Sequence, residues 1–127
     1  VTMPEDRTNK VSCSHYTCEV EVGVEILSGK WVALILWHMR DGEPRRFGEL
    51  RRLLSGVTQK MLTQQLRMLE QNGIVSRTVL PHTPPSVEYR LTAIGQALMP
   101  VLQALHQWSR DFLDQRQQPD GGASPFP

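Results

Sequence analysis

The chain has 127 residues, 39% of them hydrophobic, and a formal net charge of +1. That length allows one domain with tails and a modest core, and no run of about 18 apolar residues is present to span a membrane. The near-neutral total hides a segregation. Between Lys30 and Leu91 ten Lys/Arg face five Asp/Glu, a net of +5, while the remaining four bases and eight acids leave the flanks at −4. A basic middle on an acidic frame suits a polyanion-binding module, and it also suits an ordinary mixed, solvated surface.

The opening VTMPEDRTNK is polar and does not read as a secretory signal, so a cytoplasmic protein with free thiols is expected. Residues 1–12 and 117–127, polar or rich in proline and glycine, are predicted as disordered tails around a domain at 13–116. Val20, Val24 and Leu27 fall at i, i+4 and i+7, which predicts a short amphipathic helix ending near Ser28 and Gly29. Trp31, Leu34, Ile35 and His38 continue on a second helix, stopped by RDGEP. Phe47, Leu50 and Leu54 mark a third helix after Pro44. SGVT is a turn, and Thr58 is placed to cap a fourth helix that runs to Asn72 and Gly73.

Beyond Gly73 the period changes. IVSRTVL and SVEYRLT are rich in β-branched residues, and Val87, Tyr89 and Leu91 alternate with Glu88 and Arg90 as on a half-buried strand. The connector PHTPP makes this a hairpin with a stiff tip. In the last segment Ile94, Leu98, Val101, Leu105, Trp108 and Phe112 step by four, three, four, three and four. That spacing predicts one long helix with a seam for a partner helix, kinked near Pro100.

Helix, short turn, helix and hairpin is the winged helix-turn-helix pattern: an α+β fold, mainly helical, with a two-stranded β wing. The second helix of such a pair enters the major groove. Here Leu62, Leu66 and Leu69 point to the core. Lys60, Gln64, Arg67 and Gln71 lie on the opposite face with Thr63 beside them, and Glu70 lies off that stripe. Lys and Arg suit guanine or phosphate, Gln suits adenine, and Thr suits a thymine methyl. A merely solvated helix face has the same appearance. Arg45, Arg46, Arg51 and Arg52 flank the first helix of the pair, where backbone phosphates would lie. Arg77 and Arg90 sit on the two wing strands and His82 at the tip. Trp31, Trp37 and Trp108 are assigned to core or dimer interface, Met61, Met68 and Met99 to packing, and His38 and His106 to the core. No Cys-x-x-Cys, Gly-rich phosphate loop or Ser/His/Asp motif points to an enzyme, and no cofactor is expected.

Three strings carry a resemblance. CEVEVGVEILSGKW resembles the opening of the HxlR-type winged helix-turn-helix regulators, a bacterial family related to the MarR type. FGELRRLLSGVTQKMLTQQLRMLEQNGIVSR and PPSVEYRLTAIGQALMPVL are similar to the same family's central and C-terminal motifs, so the likeness runs from Cys18 to about Phe112. It implies a homodimer that binds an imperfect palindrome in double-stranded DNA and usually represses a nearby gene. It implies that Lys60, Thr63, Gln64 and Arg67 sit in the groove and that Arg77 and Arg90 belong to the wing; with Arg46, Arg51 and Gln59 these are the expected DNA contacts. It also implies a dimer built from the first and last helices, with Val20, Val24, Leu98, Val101, Leu105, Trp108 and Phe112 at the interface. Ser28 and Glu19 depart from the family's glycine and proline at those positions; the second changes the surroundings of Cys18.

Cys18 aligns with a cysteine that in several family members senses electrophiles or disulfide stress. Thr17 or Cys18 itself is placed to cap the first helix, where negative charge is favoured, although Glu19 and Glu21 already supply some. A small residue packed at a dimer interface is the alternative, and with it an effector of another kind: a small molecule in the dimer interface, the cysteines idle. Cys13 is placed to resolve an oxidised Cys18, or is exposed and idle. Cys13, His15 and Cys18 also supply three potential metal ligands within six residues. Structural zinc takes four, and the fourth would have to come from His82, His38, His106 or another subunit, so no metal is expected.

Overall fold

A computed structural model describes residues 18–117. The predicted tails, apart from Gln117, lie outside the described residues, as do Cys13 and His15. The elements run α1 (Glu19–Ile26), α2 (Lys30–Trp37), β1 (Arg45–Arg46), α3 (Phe47–Leu53), α4 (Gln59–Gln71), β2 (Val75–Leu80), β3 (Ser86–Leu91), α5 (Ala93–Ala97) and α6 (Met99–Arg116). No helix among them is long and apolar enough to cross a membrane.

The core is apolar throughout. Ile35 and Leu36 of α2, Leu50 of α3, Leu62, Leu66 and Leu69 of α4, Val75, Tyr89 and Leu91 of the sheet and Met99 and Leu102 of α6 all belong to one buried cluster. Burying each such aliphatic side chain contributes about 1.5–3 kcal/mol. The buried residues of α2 are Val32, Ile35 and Leu36, continued by Met39 just past its end; of the expected Trp31, Leu34, Ile35 and His38 only Ile35 is buried. The segment KWVALILW is apolar nearly all round, so its periodicity does not select a face.

The sheet has three strands in the order β1-β3-β2, all antiparallel: β2 and β3 form the expected two-stranded wing, and β1 is a third strand that the sequence did not disclose. β1 is two residues long, Arg45 opposite Tyr89 and Arg46 opposite Glu88. So short a strand leaves no alternation to read. Arg45 is spent on local structure: its guanidinium donates to the Asp41 carboxylate at 2.9 Å and to the His38 carbonyl at 3.1 Å. The Asp41 carboxyl is held below its usual range by the Glu43 backbone N–H that donates to it, with Arg45 adding to the effect.

The single kinked C-terminal helix is instead two helices. α5 ends at Ala97, and Leu98 serves both as its C-cap and as the N-cap of α6, which has Pro100 in its first turn. Proline lacks the N–H that an interior helical position must donate, and at a helix start that N–H has no partner to lose. His106 is exposed rather than in the core, and its ring stacks on Trp37 with centroids 4.8 Å apart. The Arg40 guanidinium also lies over Trp37, 4.4 Å from the ring centroid. His38 is half-buried, and desolvation, with Arg40 and Arg45 nearby, lowers its pKa.

One junction ties the parts together. α4 ends in a Schellman pair, the Ile74 N–H donating to Leu69 O at 2.9 Å and the Gly73 N–H to Glu70 O at 3.0 Å. Gly73 has φ of 73°, the left-handed conformation such a stop requires. The Thr92 hydroxyl then bonds the Gly73 and Ile74 carbonyls and accepts the Gly95 N–H at 3.1 Å, capping α5. A Cβ built on Gly95 would collide with the Ile74 carbonyl oxygen. Gly95→Ala is therefore expected to destabilise the fold by about 1–3 kcal/mol through overpacking, measured as a fall in the urea midpoint. A midpoint equal to wild type would mean that this approach is not needed.

Candidate nucleic-acid interface

α4 owes its position to the alternation of its two faces. Leu62, Leu66 and Leu69 are at most 1% exposed, and the opposite face stands in solvent. Its start is fixed by Thr58, whose hydroxyl accepts the Met61 N–H at 3.1 Å, an N-cap worth about 1 kcal/mol. α3, the first helix of the pair, is held at its own start by Glu49, whose carboxylate accepts the Arg46 N–H at 2.7 Å.

The predicted contact residues fall into two groups. Gln59, Lys60, Thr63, Gln64 and Arg67 line one shallow groove along α4. A second groove, about 460 Å³, runs between α4 and the wing and is lined by Phe47, Gln59, Thr63, Arg67, Glu70, Arg77, Val87 and Tyr89. The two share Gln59, Thr63 and Arg67, so the polar face of α4 is continuous with the inner face of the wing. The Thr63 hydroxyl donates to Gln59 O at 2.8 Å, which commits its proton to the helix and leaves the methyl for an apolar contact.

Strand register separates the two wing arginines. Arg77 pairs with Tyr89 and Ser76 with Arg90, and side chains directly opposite share a face. Arg77 therefore lies on the α4 side with buried Tyr89, and Arg90 on the far side with Ser76. Arg46, opposite Glu88, shares that far face. Arg46, Arg51 and Arg90 are all exposed but line neither groove. The sequence reading set Glu70 aside as off the stripe; it lines the groove with Arg67 and Arg77. Its spacing of three from Arg67 was the available signal, since residues three apart are neighbours on a helix surface. The apolar floor of Phe47, Val87 and Tyr89 had no such signal, because it joins two distant segments.

Cys18 is the N-cap of α1, exposed, with its carbonyl accepting the Glu21 N–H at 2.9 Å. Among the described residues no group of His, Cys, Asp and Glu is arranged to hold a metal.

The HxlR-like helix-turn-helix family model matches residues 26–117, which takes in the helix pair, the wing and α6. The chain belongs to the HxlR-like helix-turn-helix family. It is thus a DNA-binding transcriptional regulator of HxlR and MarR type. Among its relatives is YkvN of Bacillus subtilis (strain 168), an HTH-type transcriptional regulator 44% identical over 100 residues, 79% of this chain and 84% of that one. Among solved structures, the redox regulator HypR in its oxidized form is 44% identical with a TM-score of 0.69, over 74% of this chain and 96% of that one. The reduced transcriptional regulator YodB from Bacillus subtilis is 40% identical with a TM-score of 0.67, over 76% of this chain and 95% of that one.

Proposed function

We propose that this HxlR-type regulator is a cytoplasmic, non-enzymatic homodimeric repressor, its domain spanning residues 13–116. It reads a palindromic operator with α4 and the wing and is released by oxidation or electrophile modification of Cys18. The observation that carries the operator reading is the continuous donor-rich surface of Gln59, Lys60, Thr63, Gln64 and Arg67, which runs on to Arg77. Lys60 and Gln64, on the outer face of α4, read base edges. Arg67 and Arg77 reach the backbone between major groove and wing, and Arg46, Arg51 and Arg90 hold flanking phosphates.

Dimerisation is supported by apolar surface on α1 and α6. Val20 and Val24 are 68% and 62% exposed, and Val101, Leu105 and Trp108 are each about half exposed. Leu98 and Phe112 are half-buried beside them. A two-fold axis through this surface presents two copies of α4, and half-sites one helical turn apart follow. The thiol reading is supported by the exposure of Cys18 on α1, and by the likeness to HypR, named a redox regulator, and to YodB, solved in a diamide-treated form.

Fluorescence anisotropy on duplexes selected from a random-centre pool tests the operator reading. Lys60→Ala is expected to cost about 1–3 kcal/mol and change sequence preference, whereas Arg51→Ala weakens all sequences alike and lowers the salt slope by about 1. Wild-type affinity in Lys60→Ala would remove it from the interface. Leu105→Asp is expected to sediment as a monomer, and a persisting dimer would overturn the α6 interface. Diamide is expected to release wild type but not Cys18→Ser. Equal retention of both proteins would make Cys18 a packing residue and turn attention to a small ligand in the dimer interface.

A further inference from the structure

Glu70 is the single acid among the residues that line the two grooves, where Lys60, Arg67 and Arg77 supply the positive charge. It is exposed in the last turn of α4, eleven residues after Gln59 and three after Arg67, on the flank that faces the wing. Among the described residues its carboxylate has no ion pair, so it stands in the groove as one acid among the cations. Resting on the DNA-binding reading above, we infer that Glu70 limits the sequence-independent affinity of this protein by opposing the entry of the phosphate backbone between α4 and the wing.

The position selects this role over base readout. Recognition helices of this type contact base edges chiefly from their N-terminal residues, and Glu70 lies at the other end. It lines the groove between α4 and the wing together with Arg67 and Arg77, two guanidiniums that suit the space to a sugar–phosphate strand. A carboxylate there repels phosphate directly and competes with it for the Arg67 and Arg77 guanidiniums. Both effects weaken the term that is common to every sequence, which supplies essentially all non-specific binding. A chromosome offers on the order of a million or more competing sites. A face carrying only cations would spread the protein over them, and a built-in repulsive element restrains this.

The test uses the full chain and a random-sequence duplex, with Glu70→Gln as the variant. Glu70→Ala serves as a second variant, and Asp114→Asn on α6, outside both grooves, as a control for the change in net charge. Circular dichroism establishes that each is folded. Glu70→Gln is expected to bind the random duplex about threefold to tenfold more tightly per engaged subunit at low salt, the scale of one unit-charge contact in water. Its log–log salt slope should steepen by up to about 0.9, and Asp114→Asn should match wild type. If Glu70→Gln and Glu70→Ala bind the random duplex as wild type does, with the same slope, the inference is overturned while DNA binding stands. If Glu70→Gln instead loses affinity for a selected operator only, Glu70 accepts a base amine, and the phosphate role is likewise overturned. Wild type binding no duplex at all would be a failure of the DNA-binding reading itself.

Discussion

The Ile74 carbonyl is the point on which the molecule turns. It accepts the Thr92 N–H and the Thr92 hydroxyl, both at 3.1 Å, and it is the atom that a side chain at position 95 would strike. The end of α4, the start of β2, the end of β3 and the start of α5 are thereby held within a few bonds of one oxygen. Buried backbone groups must find partners, and here the partners come from segments 18 residues apart in the chain. α4 and the wing are consequently tied together at this end of the helix, where the groove between them begins.

On that frame the charge is arranged by depth. The core contains no buried polar or charged residue among those described, so every cation is at the surface and differs from the others only in what holds it. Arg45 is anchored to Asp41 and the His38 carbonyl, and Arg40 lies on Trp37. These arginines brace α2 and the approach to β1. Lys60, Arg67 and Arg77 face a groove instead. The net positive charge of the central segment therefore overstates what is offered to a polyanion, since part of it is engaged in structure.

Much of this was legible in the sequence, and what was missed has physical reasons. α4 was read with its cap, its core face and its stop, because strong amphipathicity, a threonine and Asn72-Gly73 all speak locally. The phase of α2 was not, because a helix apolar on every side is placed by its neighbours. Pro100 was seen but read as a kink, although proline is equally at home in a first turn, and which applies depends on whether the helix is continuous. β1 exists only through its pairing with β3. The opposed faces of Arg77 and Arg90 follow from register, which the alternation of Tyr89 and Arg90 half disclosed; the missing half was which residue of β2 stands opposite.

α6 belongs to two environments at once. Met99 and Leu102 reach inward, and Val101, their near neighbour, is half exposed. Between α5 and α6 stands Leu98 alone, in helical conformation with φ of −78° and ψ of −15°, so the joint has no slack residue. α5 is in turn seated on the end of α4, through the Thr92 hydroxyl and the close approach of Gly95 to the Ile74 carbonyl. The outer surface of α6 is thus separated from the foot of α4 by one five-residue helix and a single joint residue.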